Sequence, residues 1–85
     1  IDIEKLVFPL EIRPWRLGDF FYPLGMKQKK KLSDFFIDNK LSLFAKAKIF
    51  VLTSEEQIVW IIGHRLDNRF KIEPTTGKVL RIILD

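Results

Sequence analysis

Cysteine is absent from the 85 residues, which excludes disulfides and thiolate metal sites. Histidine occurs once, at His64, so a structural zinc site has no ligand set. The four glycines, Gly18, Gly25, Gly63 and Gly77, stand too far apart to build a phosphate-cradling loop. No apolar run approaches the roughly 18 residues of a membrane span, and no signal peptide is visible. Ser33, Ser42 and Ser54 lack a Gly-x-Ser-x-Gly setting. His64 has no assignable acidic partner, so hydrogen bonding at a strand end is a better reading of it than general base. Asp34 and Asp38 lie four apart on one helix face and have the spacing to share a Mg²⁺. Ordinary surface residues with lysine partners nearby are the simpler account of them. No nucleophile-and-base pair emerges, and the chain reads as non-catalytic. It begins Ile1-Asp2-Ile3-Glu4 without an initiator methionine, as expected of a piece of something longer.

What is present is a core and a localised charge. Hydrophobic residues make up 47% of the chain, with eight Phe and two Trp, which supplies one small domain. A domain of this length buries only about 60–65% of the surface its unfolded chain exposes. Net charge is +4, unevenly spread. Residues 1–12 set Lys5 against Asp2, Glu4 and Glu11, a net of −2. Residues 13–48 set nine Lys and Arg against Asp19, Asp34 and Asp38, a net of +6, and residues 49–85 balance at five of each sign. A basic excess confined to the middle third suits a polyanionic partner; a solvated lysine-rich loop is the plainer alternative.

Periodicity predicts an α+β domain with a mostly antiparallel sheet. Residues 5–13 alternate with period two through Leu6, Phe8, Leu10 and Ile12, and Pro9 makes this an edge strand or a broken one. The stretch from Arg13 to Asp19 is a turn-rich connection. Phe20 to Gly25 reads as a loop or short strand packed on the core. Leu32, Phe35 and Phe36 share one face of a main helix over about residues 30–39, with Lys30, Ser33, Asp34 and Asp38 turned outward or sideways. Ser42 is placed to cap a short second helix over Leu43 to Lys48. Two hairpins are predicted. One joins residues 49–53 to 57–62 across Ser54-Glu55-Glu56; the other joins 70–73 to 78–83 across Pro74-Thr75-Thr76-Gly77.

Lys27, Lys29, Lys30 and Lys31 form the densest charge, directly ahead of the main helix. Lysines in a first helical turn oppose the macrodipole at about 0.3–1 kcal/mol each. An anion at that helix end, a nucleic-acid phosphate, accounts for them. Arg13 and Arg16 flank the cluster upstream, with Trp15 and Tyr22 as aromatic neighbours. Arg65, beside His64, is a further candidate cation. Lysines give salt-dependent, sequence-independent phosphate contacts, and RNA duplexes are recognised largely through shape and backbone. Trp15 can stack on a terminal base, although a tryptophan in so small a domain is more often core. The competing class is a protein-packing or dimerisation module, suggested by the aromatic excess of Phe20, Phe21, Tyr22 and Trp60.

Several strings together resemble the C-terminal domain of bacterial tRNA(Ile)-lysidine synthetase. They are Arg13-Pro14-Trp15-Arg16-Leu17-Gly18-Asp19, Pro23-Leu24-Gly25-Met26-Lys27, Lys30-Lys31-Leu32-Ser33-Asp34-Phe35-Phe36-Ile37-Asp38, Ile58-Val59-Trp60, Gly63-His64-Arg65 and Arg69-Phe70. The resemblance covers about residues 10–83. It implies that residues 1–85 are the tRNA-binding tail of a cytoplasmic ligase. That ligase uses ATP, with Mg, to join lysine to the wobble cytidine of tRNA(Ile), with no membrane partner. The catalysis belongs to an N-terminal ATP-pyrophosphatase domain with a Ser-Gly-Gly-x-Asp-Ser loop, absent here; no cofactor is expected in this chain. The implied partners are the tRNA acceptor stem and that catalytic domain. Two positions depart from the family. Gln28 stands where a small residue is usual, and Lys48 where an arginine is usual, keeping the charge without the bidentate fork.

Overall fold

The computed structural model describes residues 1–71. The predicted hairpin over residues 70–83 therefore lies mostly outside the described residues. Four antiparallel strands form one sheet in the order β1 (Glu11–Pro14), β4 (Phe50–Ser54), β5 (Gln57–Ile61), β6 (Arg65–Leu66). A two-stranded ribbon, β2 (Phe20–Phe21) with β3 (Lys30–Lys31), carries the helix α1 (Leu32–Asp38). A one-turn helix, α2 (Leu43–Lys46), leads back into β4. The expected α+β class with an antiparallel sheet is what the chain forms.

The sheet is apolar on both faces. Val51, Ile58 and Ile61 turn toward Leu32, Phe35 and Phe36 of α1 and toward Phe21, all buried, with Trp15 and Leu41 packed at the margin. Leu52 and Val59 turn the other way, onto Leu6 and Phe70, with Trp60 beside them. Each such Leu, Val or Phe is worth roughly 1.5–3 kcal/mol when fully buried, so β4 and β5 anchor both clusters.

Local chemistry sets the ends of the helices. Ser42 caps α2 as expected, its hydroxyl accepting from the Ala45 N–H at 3.0 Å. That helix stops at Lys46, earlier than the predicted Lys48. At the end of α1, Lys40 takes a left-handed φ of 56°. The Lys40 and Leu41 N–H groups bond back to Ile37 and Phe36. This is the paired closure that usually recruits glycine, and Leu41 is drawn onto the core.

Two expectations are corrected. The N-terminal region is not one strand over residues 5–13. Ile3–Lys5 is a 3-10 turn capped by Asp2, and the first strand begins only at Glu11. Of the alternating residues, Phe8 and Ile12 are 56% and 65% exposed. The main helix does not start at residue 30. Lys30 and Lys31 are strand, paired with Phe21 and Phe20, and helical geometry starts at Leu32.

Candidate nucleic-acid interface

The lysine cluster is built on a tight turn. The Met26 N–H bonds to the Pro23 carbonyl at 2.8 Å, with Gly25 at φ 89° in between. A positive φ at the third residue of such a turn is what glycine supplies without strain. The turn is gripped from the segment after β5. The Leu24 N–H bonds to the Leu66 carbonyl at 3.0 Å, and the Asn68 N–H to the Tyr22 carbonyl at 2.6 Å. The Asn68 side-chain oxygen accepts from Gly25 N–H at 3.1 Å, and Arg65 Nη2 donates to the Leu24 carbonyl at 2.9 Å. The chain that leads into Lys27 is thus fixed on both sides. Gln28 needs no left-handed backbone, so the loop closes without a glycine there.

The four lysines do not act as one block. Lys27, Lys29 and Lys31 are exposed. Lys29 Nζ rests 4.5 Å above the Phe20 ring, a cation–π contact that fixes its direction. Lys30, on the opposite side of the strand from Lys31, is ion-paired to Asp38. The anticipated helix-end anion site is not formed. The helix has seven residues, and its first N–H, from Leu32, is taken by the Asp19 carbonyl at 3.0 Å.

The arginines divide as well. Arg13 is engaged inside the domain, bidentate to Asp19 with both distances 2.9 Å and donating to the Pro14 carbonyl at 3.0 Å. Its guanidinium pKa is raised, first by the hydrogen bonds it donates to Asp19, against the lowering effect of burial. Arg16 is exposed and bonded to Asp19 through its backbone, its N–H donating to the carboxylate and its carbonyl accepting from the Asp19 N–H. Arg65 is exposed and bonded to the turn at Leu24, three residues ahead of Lys27 in the chain. Lys48 sits apart, over the Phe44 ring at 4.1 Å beside α2. Trp15 is a core residue. It is half-buried, edge-on to Phe36 at 4.9 Å, with Nε1 donating to the Lys46 carbonyl at 2.7 Å. His64 is exposed, and its backbone N–H bonds to Ile61.

Asp67, Arg69 and Asp19 organise this region and carried no signal of their own in the sequence. Asp67 is completely buried. Its carboxylate accepts from the Tyr22 N–H at 2.9 Å and from Arg69 Nε and Nη2 at 3.0 Å each. The guanidinium so held stacks on Tyr22 at 4.5 Å. The only local hint is an aspartate set between Arg65 and Arg69, since a lone buried carboxylate needs a cation.

Among the described residues no group of three or more His, Asp and Glu side chains is placed to hold a metal ion. Nor is any helix among them long and apolar enough to cross a membrane.

The fold and its surface define a small α+β domain that presents cations on a rigid turn. The chain belongs to the TilS substrate C-terminal domain family, whose model matches residues 10–83. It is 50% identical over 80 residues to the tRNA(Ile)-lysidine synthase of Parabacteroides distasonis, which spans 94% of this chain and 18% of that protein. To the corresponding synthase of Bacteroides thetaiotaomicron it is 46% identical over 79 residues, 93% of this chain and 18% of that protein. The chain spans less than a fifth of the length of these relatives. A crystal structure of a TILS C-terminal domain superposes with a TM-score of 0.72 at 24% identity, covering 86% of this chain and 56% of that one. That likeness is one of fold.

Proposed function

We propose that this chain is the tRNA-binding domain of a tRNA(Ile)-lysidine synthase and grips the acceptor stem. The parent enzyme, a cytoplasmic ligase, uses ATP and Mg in a separate catalytic domain to join lysine to the wobble cytidine. This domain holds the substrate for it. The observation that carries the reading is a set of exposed cations around a turn whose backbone is pinned before any ligand arrives: Lys27 directly after it, Lys29 and Lys31 in the segment that runs on into β3, and Arg65 bonded to it. Preorganised cations lose little freedom on meeting phosphates, which favours shape-based grip of an RNA duplex. Arg16 and Lys48 extend the positive surface. Arg13 and Lys30 contribute to it mainly by shaping it through their aspartate partners.

The test is titration with a minihelix carrying the isoleucine tRNA acceptor stem at several salt concentrations. Three or four neutralised phosphates give a slope of log affinity against log salt of about −2.7 to −3.6 on the duplex-DNA scale. Changing Lys27, Lys29 and Lys31 together to Glu should abolish binding without unfolding the domain. Lys30→Ala should change affinity less than Lys29→Ala, because Lys30 already has Asp38. Undiminished RNA affinity in the triple variant would sink the reading.

A second reading, a packing surface for the rest of the enzyme, has its own observation. Leu43 and Phe44 on α2 are 82% and 73% exposed. If the domain ignores the minihelix at low salt, that face becomes the place where it works.

A further inference from the structure

A hollow of about 150 Å³ opens beside the lysine ribbon, between Gly18, Asp19 and Phe20 on one side and Glu56, Gln57 and Arg69 on the other, with Ile58 also in its wall. It is smaller than the roughly 300–1,000 Å³ sites that enclose whole small molecules, and so is suited to a single planar ring. Phe20 is 40% exposed, although a small domain gains by hiding such a ring. Its position is fixed by Lys29 above it and by Tyr22, edge-on at 6.3 Å. Arg69 is fixed more firmly, by buried Asp67 behind it and Tyr22 beneath it. Asp67 engages Nε and Nη2, so the Nη1 donors have no partner among the described residues. Glu56 and Gln57 are exposed at the rim, and the Glu56 carboxylate feels the charge of Arg13 without a hydrogen bond to it among the described residues. The wall thus offers a stacking ring, a fixed donor and an acceptor around one slot.

Resting on the acceptor-stem reading, we propose that this slot takes one unpaired nucleobase at the end of the bound RNA. The chemistry selects the base. Arg69 donates to a ring nitrogen or carbonyl, Glu56 accepts from an exocyclic amino group, and Phe20 stacks. Cytosine, adenine and guanine each offer both an acceptor and an amino group; uracil offers no amino group. Single-stranded RNA is commonly read by aromatic stacking together with hydrogen bonds to base edges. The phosphates of such a nucleotide have cations within reach, because Lys31 pairs directly with Phe20 in the ribbon and Lys29 overlies its ring.

The experiment compares the 85-residue chain on a blunt minihelix and on minihelices with a two-nucleotide single-stranded extension of cytidine, adenosine or uridine on either strand. A stacked base should raise affinity about tenfold for cytidine or adenosine, with little gain for uridine. Phe20→Leu keeps an apolar side chain and should remove the gain, read as the ratio of extended to blunt affinity within that variant, whatever the loss of the Lys29 contact does to blunt affinity itself. Glu56→Gln presents both a donor and an acceptor and should erase the preference for cytidine over uridine, an effect that loss of packing does not produce. Equal affinity for blunt and extended RNA, or a gain that survives Phe20→Leu, overturns the slot while the acceptor-stem reading stands. Failure to bind either RNA overturns both.

Discussion

Asp19 joins four groups. Its carboxylate accepts from Arg13 twice, at 2.9 Å each, and from the Arg16 N–H at 2.7 Å, while its carbonyl takes the Leu32 N–H at 3.0 Å. One residue thus ties β1 to the start of the ribbon through its side chain and to the head of α1 through its backbone carbonyl. Burial pushes its carboxyl pKa up, but the Arg13 hydrogen bonds, the Arg16 N–H and the two positive charges outweigh that, and the net shift is downward. A carboxyl depressed in the folded state stabilises above its unfolded value, here near 3.8, and that contribution is lost as pH falls through the lower folded value. Asp19→Asn should therefore cost about 1–3 kcal/mol at pH 7, the range for hydrogen bonds to charged groups. The deficit relative to the parent protein should shrink in acid. Urea unfolding at pH 7 and near pH 3 checks this; an equal deficit at both pH values would mean the pair contributes nothing to stability.

Elements with a strong period were legible in the sequence, and short ones were not. Leu32, Phe35 and Phe36 identified α1 because helical spacing and burial coincide. Lys30 and Lys31 were drawn into that helix because lysine is a good helix former and a two-residue strand has no period to read. The N-terminal alternation misled for another reason. A 3-10 turn and Pro9 intervene, so the alternation does not make one strand, and Phe8 and Ile12 stay exposed. In the interface, exposed lysines could be read from charge alone. The Lys30–Asp38 pair, eight residues apart, and the Asp67 bond to Tyr22, 45 residues away, could not be, because tertiary structure creates them.

The β4–β5 hairpin was legible, yet it carries a local misfit. Its turn residues Glu55 and Glu56 both have positive φ, 48° and 66°. That is the geometry of the tight hairpin turn that favours Asn-Gly, whereas glutamate is strained in it. Glu55→Asn should stabilise the domain by about 0.5–1 kcal/mol, given the enrichment of Asn in left-handed backbone. It leaves Glu56 and the slot intact, so RNA affinity should not move. A lower thermal midpoint for this variant would contradict the assigned turn.

At the scale of the whole molecule, one sheet serves two apolar clusters. Val51 and Leu52 are neighbours in β4 and face opposite ways, as do Ile58 and Val59 in β5. Neither cluster can lose its sheet without the other losing it too, so the domain should unfold in one step despite having two cores. The chain supplies a reporter for each. Trp15 packs on the α1 side, against Phe36, and Trp60 lies with the cluster of Leu6 and Phe70. Trp15→Phe and Trp60→Phe each leave a single tryptophan. In each variant the fluorescence transition in urea should overlay the far-UV circular dichroism transition, a comparison within one protein that cancels any change in its stability. If Trp60 fluorescence moves before the secondary structure in Trp15→Phe, the face holding Leu6 and Phe70 opens separately. Proline at Val59 would then be needed to break both clusters, whereas Leu6→Ala would disturb only one. If the curves coincide, Leu6→Ala costs the roughly 2–5 kcal/mol of unfolding free energy typical of such truncations and lowers the urea midpoint equally whichever tryptophan reports it. A lysine ribbon carried by α1 would then stay presentable to RNA only while the opposite face of the sheet is also closed.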